Sequence, residues 1–312
     1  MNELGHRREP FVFIIDFEGK KGNIYNTQNN REILWQMPGK NNLNKKLQQK
    51  KPEIWKPQPV SFNKYLAGFN LVQQHIHNGD TYLLNFTQPT PVQCNLNLEE
   101  IFAVSSARYK ILLKNKFVCF SPETFVKIEN SKISSFPMKG TIQANLENSA
   151  TKIIKDSKET AEHNTIVDLI RNDLSLVAED VTVEKFRYLE RLKTNQQDLW
   201  QVSSKITGDL PENYRGNLGD ILFKLLPAGS ISGAPKRKTV EIIRKAEKYE
   251  RGFYTGIFGV FDGINLDSCV LIRFIENIDG QLVYKSGGGI TFKSDAKNEY
   301  DEMLKKVYVP VD

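Results

Sequence analysis

One lysine stands where a strand-like run meets a glycine. Residues 132–136 read as a strand, and the hexapeptide Phe136-Pro137-Met138-Lys139-Gly140-Thr141 follows with Lys139 next to Gly140. Glu123 lies a short distance upstream, so an amine and a carboxylate occur in one region of the chain. Burial and neighbouring groups can lower the pKa of a lysine until its uncharged amine acts as a nucleophile. The alternative is an exposed lysine beside a turn, the usual environment of this residue.

A run of three glycines precedes a second group of charged residues. Gly287, Gly288 and Gly289 allow backbone N–H groups to approach a ligand closely, as anion-binding turns require. Glu299, Glu302 and Lys306 then recur at helical spacing and share one face of a helix. Two carboxylates on one helix face can hold Mg²⁺, which prefers hard oxygen ligands and keeps some of its waters. The alternative is a solvated Glu–Lys ladder.

A third charged segment spans residues 162–174 and has an apolar middle, which predicts a buried helix. Glu162 could supply another carboxylate to the same metal. Arg171 and Asp173 are interpreted instead as structural ion pairs that order the end of the helix.

A glycine-serine turn over residues 227–236 leads into a helix that is predicted to begin near Pro235. Proline suits the first position of a helix, and a helix N-terminus attracts anions. The spacing of a Walker P-loop is missing, and a plain capping loop is the alternative. Residues 79–87 read only as a strand after a turn.

Composition excludes several classes of function. With 312 residues, 39% hydrophobic and 26% charged, the chain matches an ordinary soluble globular protein. No apolar run approaches the roughly 20 residues that cross a bilayer, and no apolar signal core begins the chain. Three widely spaced cysteines fit a reducing cytoplasm. The net charge of +6 allows an anionic substrate, whereas the basic residues 40–56 read as a solvated loop rather than a nucleic-acid module.

The hydrophobic pattern predicts the elements that position these groups. Strands are expected over residues 11–17, 80–87, 117–120, 124–128, 132–136, 181–188, 199–206, 253–261, 268–276 and 282–286. Helices are expected over residues 62–79, 97–109, 157–177, 217–226, 235–249 and 295–306. Strands come in runs rather than alternating with helices, which favours an α+β fold with largely antiparallel sheet.

Taken together and in this order, these motifs resemble the chorismate-utilising enzymes, which include anthranilate, aminodeoxychorismate, isochorismate and salicylate synthases. The resemblance covers residues 62–307. It rests on nine motifs: residues 79–85, 121–123, 137–141, 162–174, 229–236, 254–256, Arg273, 287–290 and 299–306. It implies antiparallel sheets packed as a sandwich with flanking helices. Residues 1–60 then form a short N-terminal segment that contributes strand and loop, and residues 61–312 form the chorismate-binding catalytic domain.

Within this family, the residue at position 139 separates the branches. Anthranilate synthases typically carry Pro-Ile-Ala-Gly-Thr there, and aminodeoxychorismate synthases carry Pro-Ile-Lys-Gly-Thr. The lysine therefore resembles the aminodeoxychorismate synthases (component I), which act in para-aminobenzoate and folate synthesis. The resemblance implies that Lys139 attacks C2 of chorismate while the C4 hydroxyl leaves, and that ammonia then adds at C4. It implies that Glu123 is the general acid that protonates the leaving hydroxyl.

The resemblance also assigns the remaining site residues. Glu162 and Glu302 match the Mg²⁺ ligands, with Glu299 assisting through water. The groups expected to bind the substrate carboxylates or line their pocket are Arg273, Lys306, Gly288, Gly289, Ser232, Gly233 and Tyr254. A separate glutaminase subunit is expected to supply ammonia, because this chain carries no recognisable glutaminase nucleophile motif.

Four positions depart from the family pattern. Gln201 stands where a histidine is usual, and Leu83, Ala228 and Met138 replace a common Gln, Gly and Ile. Gln201 makes pyruvate elimination the least expected step. The short N-terminal part indicates that the regulatory tryptophan pocket of longer relatives is reduced or missing. Two alternatives stay open: an anthranilate or isochorismate synthase, and a non-catalytic subunit that binds chorismate or docks a partner on residues 40–56.

Overall fold

The computed structural model describes residues 1–27, 30, 32–43, 52–192 and 198–311. The helices are α1 (Asn2–His6), α2 (Phe62–His77), α3 (Leu98–Val104), α4 (Ser149–Lys155), α5 (Ser157–Leu174), α6 (Leu218–Leu225), α7 (Gly229–Ser232), α8 (Lys236–Glu247) and α9 (Ala296–Lys305), and a 3₁₀ helix covers Tyr214–Asn217. The strands are β1 (Phe11–Ile15), β2 (Gly22–Tyr25), β3 (Ile33–Met37), β4 (Lys40–Asn41), β5 (Trp55–Pro57), β6 (Leu83–Cys94), β7 (Tyr109–Leu113), β8 (Phe117–Ser121), β9 (Thr124–Glu129), β10 (Lys132–Ser135), β11 (Met138–Gln143), β12 (Glu179–Leu192), β13 (Leu199–Asp209), β14 (Gly233–Ala234), β15 (Ile257–Phe261), β16 (Leu266–Val270), β17 (Phe274–Ile278) and β18 (Gln281–Thr291).

The described strands form two sheets in which paired strands run antiparallel. The first sheet has the order β11-β13-β10-β9-β16-β15-β1-β2, with β12 also paired to β13. The second has the order β14-β6-β18-β17-β8-β7-β3-β4, with β5 also paired to β6. Helices and antiparallel sheets segregate along the chain, which confirms the predicted α+β class.

The two sheets pack face to face through an apolar layer. Val12 and Phe258 from the first sheet belong to the same buried apolar cluster as Trp35, Ile111 and Phe274 from the second. The helices α2, α5, α6, α8 and α9 share a second cluster with the first sheet. Each large apolar side chain that is fully buried contributes roughly 1.5–3 kcal/mol. The sandwich with flanking helices agrees with the expectation from sequence.

Local capping explains where the helices begin. Ser61 caps α2 by accepting from the Lys64 N–H, and Asp156 caps α5 by accepting from the Glu159 N–H. Asn97 and Glu100 form a reciprocal capping box at the start of α3.

Several predicted elements were wrong in extent; the strand expected over residues 80–87, for example, is β6 and runs from Leu83 to Cys94. The helix expected over residues 97–109 ends at Val104, because Tyr109 already begins the buried strand β7. The single strand expected over residues 268–276 is two strands, β16 and β17, which belong to different sheets. Arg273 stands in the break between them with a φ of 55°. The last strand, expected over residues 282–286, continues through the glycine run to Thr291.

The N-terminal segment contributes strands to both sheets. β1 pairs with β15 in the first sheet, and β3 pairs with β7 in the second. The domain boundary near residue 60 stays a prediction. Residues 44–51 of the predicted basic loop lie outside the described residues, and β4 and β5 flank them.

Candidate active site

A cleft of about 280 Å³ lies where β6 and β18 of the second sheet approach β11 and β13 of the first. Nine of the residues that the sequence singles out line it: Glu123, Lys139, Gly233, Tyr254, Arg273, Gly288, Gly289, Glu302 and Lys306. Residues from distant parts of the chain therefore surround one space.

Lys139 lies in a β-bulge rather than at a free strand end. β10 and β11 pair in succession along β13, and the register shifts between Met138 and Thr141. Gly140 takes a φ of +82°, which only glycine adopts without strain. Bulges beside active sites re-aim side chains, and this one turns Lys139 into the cleft.

The amine of Lys139 is paired with a carboxylate. Its Nζ lies 2.8 Å from Oε2 of Glu162 on α5. Burial acts to lower the pKa of Lys139, but the carboxylates of Glu162, Glu159 and Glu302 together raise it above its ordinary value. The uncharged amine that a covalent route needs stays a prediction, and in the absence of substrate and metal these three carboxylates act against it. Loss of its proton requires a change in that pairing.

Glu123 follows β8 and faces the cleft. The Ser230 hydroxyl on α7 donates a hydrogen bond of 2.5 Å to its Oε1. Burial raises the pKa of Glu123, while Ser230 and the Arg273 guanidinium act in the opposite direction, and the net direction is upward. A carboxyl group with a raised pKa keeps its proton more readily, as a general acid must.

The three glycines lie inside strand β18, not in a turn. Gly287, Gly288 and Gly289 pair with Thr87, Phe86 and Asn85 of β6. The expected anion-binding turn was therefore wrong. A methyl group on Gly288 would lie 3.2 Å from Oε2 of Glu299 and 3.4 Å from Oε1 of Glu302. The missing side chain leaves room for these carboxylates next to the strand.

The charged helix face predicted for Glu299, Glu302 and Lys306 is present on α9. Lys306 Nζ lies 2.6 Å from Glu302 Oε1 and donates to the Gly287 carbonyl oxygen at 2.8 Å. Burial lowers the pKa of Lys306 below its ordinary value, against the effect of Glu302. The Ser294 hydroxyl donates a 2.8 Å hydrogen bond to the Glu299 carboxylate and so restrains its position.

Arg273 and Tyr254 form another part of the wall. Arg273 lines the cleft, and its guanidinium carbon lies 5.6 Å from the centroid of the Tyr308 ring. Tyr254 is 4% exposed, and burial raises the pKa of its hydroxyl. Arg273 is one of four basic side chains that line the cleft and suit an anionic ligand; the others are Lys139, Lys285 and Lys306.

Three predicted site residues do not line the cleft. The Ser232 hydroxyl is buried and donates to the Ala228 carbonyl oxygen at 2.9 Å. Glu162 reaches the site through its ion pair with Lys139, and Glu299 through its closeness to Gly288.

The second half of α5 carries the predicted structural pairs. Arg171 pairs with Asp168 at 3.2 Å, and Asp173 pairs with Lys236 at 2.8 Å. The Asp173 pair connects the end of α5 to the start of α8, so these residues order the helix end as expected.

Several lining residues were not predicted. Ser230, Ile231, Asn85 and Lys285 line the cleft, and so does Gln201, which the sequence marked only as a departure. The signal for Ser230 was its place in the glycine-serine turn, two residues before Ser232. Lys285 lies two residues before Gly287 and therefore on the same face of the strand. This spacing could have predicted that Lys285 lines the cleft.

The expected metal can be tested against these side chains. Glu299 and Glu302 both face Gly288; burial raises the pKa of Glu299, and repulsion from Glu302 adds to it. A cation would relieve this repulsion, and Mg²⁺ commonly uses one or two carboxylates plus water or substrate oxygens. No group of three acidic, histidine or cysteine side chains suited to a metal occurs among the described residues. Glu162 pairs with Lys139, and Glu302 pairs with Lys306. Glu299 and Glu302 fit Mg²⁺ as two carboxylates once Glu302 leaves Lys306, and a third carboxylate requires Glu162 to leave Lys139.

Comparison with known proteins agrees with this geometry. The family model described as chorismate binding enzyme matches residues 13–312. The chain belongs to this family. An uncharacterized PabA-like protein of Haemophilus influenzae is 49% identical over 313 residues, which cover 100% of this chain and 95% of that protein. Aminodeoxychorismate synthase component 1 of Escherichia coli is 32% identical over 260 residues, 78% of this chain and 56% of that one.

A solved structure extends the likeness to the fold. Anthranilate synthase component I of Streptococcus pneumoniae superposes with a TM-score of 0.69 and 25% identity, over 82% of this chain and 59% of that one. This chain is therefore a member of a chorismate-utilising enzyme family related to aminodeoxychorismate and anthranilate synthases, and it spans little more than half of these two relatives. Among its described helices, none has the length and apolar character that a membrane crossing requires.

Proposed function

We propose that this protein aminates chorismate at C4 to give 4-amino-4-deoxychorismate. The observation that carries the proposal is the shared cleft of Lys139 and Glu123, an amine and a carboxyl group with a raised pKa. Arg273 and Lys306 line the same cleft and supply positive charge for the two carboxylates of chorismate.

The proposed reaction has two displacements. The Lys139 amine forms a bond to C2, the two conjugated ring double bonds shift from C1=C2 and C5=C6 to C1=C6 and C4=C5, and the C4–O bond breaks. Glu123 gives its proton to the departing hydroxyl, which leaves as water. Ammonia then forms a bond to C4, both double bonds shift back to C5=C6 and C1=C2, and the C2–N bond to Lys139 breaks. One proton of the added ammonia returns to Glu123, which restores the acid.

The lysine must be uncharged before it attacks. In this structure its proton is held by the ion pair with Glu162, the carboxylate at 2.8 Å. Glu162 is therefore the nearest group that can accept that proton or release the amine by turning away. The carboxylates of Glu162, Glu159 and Glu302 raise the pKa of Lys139, so the proposed reaction needs this pairing to change before the amine can attack.

Mg²⁺ is part of the proposal. Glu302 and Glu162 would hold it, with Glu299 assisting through water, and the bound ion would neutralise the ring carboxylate of chorismate. Glu299 is fixed for such a role by its hydrogen bond from Ser294.

A glutamine amidotransferase subunit is the proposed source of ammonia. Support comes from the name of the Escherichia coli relative, which is one component of aminodeoxychorismate synthase. The isolated chain should then use free ammonium salts in place of the partner. We propose a cytoplasmic location, which the three free cysteines fit.

The test is to incubate the pure chain with chorismate, ammonium and Mg²⁺ and to identify products by liquid chromatography and mass spectrometry. Aminodeoxychorismate should form only when all three are present. Trapping at short times should give an adduct on a peptide that contains Lys139. The matched control is Lys132→Ala, because Lys132 is an exposed lysine on neighbouring β10 that pairs with Asp209.

Other products would contradict the assignment. If anthranilate or isochorismate formed without aminodeoxychorismate, the chain would belong to another branch of the family. Chorismate binding without turnover under all conditions would indicate a non-catalytic subunit. Gln201 on the cleft wall bears on this choice, because an amide cannot exchange protons as a histidine does.

A further inference from the structure

A fully buried ion pair lies directly behind the cleft wall. Arg251 follows α8, and its guanidinium meets the carboxylate of Glu247 in two contacts: Nε to Oε2 at 2.9 Å and Nη2 to Oε1 at 2.6 Å. The side chains of Arg251 and Glu247 are 1% and 0% exposed. Neither residue lines the cleft, and neither takes part in the proposed reaction.

The remaining hydrogen bonds of this pair connect two walls of the cleft. Arg251 Nη2 donates to the carbonyl oxygen of Asn85 at 2.6 Å, and Nη1 donates to that of Ile231 at 3.0 Å. Asn85 belongs to β6 and Ile231 to α7, and both line the cleft. Glu247 Oε1 also accepts from the Thr87 N–H at 2.8 Å, two residues along β6.

Strand β18, a third wall of the cleft, is connected to the backbone of Arg251. Lys285 on β18 donates from Nζ to the Arg251 carbonyl oxygen at 3.0 Å and pairs with Glu276 at 2.6 Å. Lys285 lines the cleft. One buried pair thus holds β6 and α7 by its side chains, and β18 through the backbone of Arg251.

Stability alone does not account for such a pair. Removing two charges from water costs several kcal/mol per ion, and apolar residues of similar volume often serve equally well. Apolar residues cannot replace the planar guanidinium, because its N–H donors point in fixed directions and here reach two carbonyl oxygens. The particular contribution of this pair is therefore geometric.

We propose that Arg251 and Glu247 are positioning residues, which set the spacing between the β6 and α7 walls of the cleft and so its fit to a cyclic dicarboxylate. Ile231 adjoins Ser230, which holds Glu123, so the spacing also places the acid. The inference rests on the proposed chorismate site.

The experiment uses the double variant Glu247→Leu/Arg251→Met of the full chain. The Kd for chorismate is measured by titration calorimetry, and thermal unfolding is recorded on the same samples. The expected result is a Kd at least tenfold above wild type, with an unfolding midpoint within a few degrees of it. A purely stabilising role predicts the opposite, a lower midpoint and an unchanged Kd.

The matched control is Glu18→Leu/Arg244→Met, which alters a solvent-exposed pair joined at 2.7 Å and should leave the Kd unchanged. If the double variant does not fold, Arg251→Lys is used instead. It keeps the charge opposite Glu247 but loses the fork, and a Kd at least threefold higher is expected.

The outcomes separate the two proposals. A folded variant that binds chorismate as tightly as wild type overturns the positioning role alone. A wild-type chain that binds no chorismate overturns the proposed function on which that role rests.

Discussion

Two glutamate ion pairs of this molecule, Lys139–Glu162 in the cleft and Arg251–Glu247 behind it, differ in how deeply they are buried. Lys139 and Glu162 are 35% and 21% exposed, and Nζ lies 2.8 Å from the carboxylate. Arg251 and Glu247 are almost fully buried and share two contacts, with further bonds to three backbone groups.

The difference separates a pair that can open from one that cannot. Water can replace either partner of a half-buried pair at small cost, whereas a buried charge that loses its partner has nothing to replace it. The lysine that must change its charge during the proposed reaction belongs to the first kind. The residues that hold the walls belong to the second.

The largest expected effect tests the Lys139–Glu162 pair in the cleft. Lys139→Ala should lower kcat/KM for aminodeoxychorismate formation on the order of 10⁴-fold or more, because the proposed nucleophile is removed. Steady-state kinetics with ammonium and Mg²⁺ measures it, with Lys132→Ala as the control. Full activity of Lys139→Ala would refute covalent catalysis by this amine.

The second largest effect tests the buried Arg251–Glu247 pair. Arg251→Met alone should destabilise the fold by about 3–5 kcal/mol, because Glu247 is left as an unpaired buried charge. Urea unfolding gives the free energy. Arg7→Met, in an exposed pair with Glu3, should cost about 0–1 kcal/mol. Equal changes for the two variants would show that burial does not distinguish the pairs.

Removal of the acid gives a smaller loss than removal of the nucleophile. Glu123→Gln keeps the size of the side chain but has no proton to give, so kcat should fall about 10²-fold or more. Chorismate Kd, measured by calorimetry, should change little. A kcat close to wild type would exclude Glu123 as the proton donor.

The smallest effect is a displaced pH profile. The Ser230 hydroxyl donates to the Glu123 carboxylate and so lowers the pKa of Glu123 relative to its value without this bond. Ser230→Ala should therefore raise that pKa. Glu123 acts in its protonated form, so the alkaline limb of the kcat profile should move to higher pH.

The control for this shift is Ser175→Ala, whose hydroxyl donates to the Arg171 carbonyl oxygen at the exposed end of α5. Its profile should match that of wild type. A limb that moves to lower pH in Ser230→Ala would assign the titration to another group.

Periodicity and capping made much of the fold predictable. The predicted helices over residues 62–79 and 157–177 correspond to α2 and α5, because apolar residues recur at helical spacing after good caps. The prediction failed at residues 105–109, where a short connection separates a helix that ends at Val104 from a buried apolar strand that begins at Tyr109, and periodicity does not mark the change. It failed again at Arg273, because the switch between sheets depends on pairing partners far along the chain.

By itself, the sequence determined which chemical groups this protein has: the Lys139 amine, the Glu123 carboxyl, the acidic face of α9 and the run of three glycines before it. Residue type and short-range spacing are enough for these. Tertiary structure decided that the three glycines lie in a strand, that Glu162 pairs with Lys139, and which roles Ser230 and Arg251 have. A pKa and a hydrogen bond depend on distances between elements that are remote in sequence, and only packing of the two sheets and their helices fixes those distances.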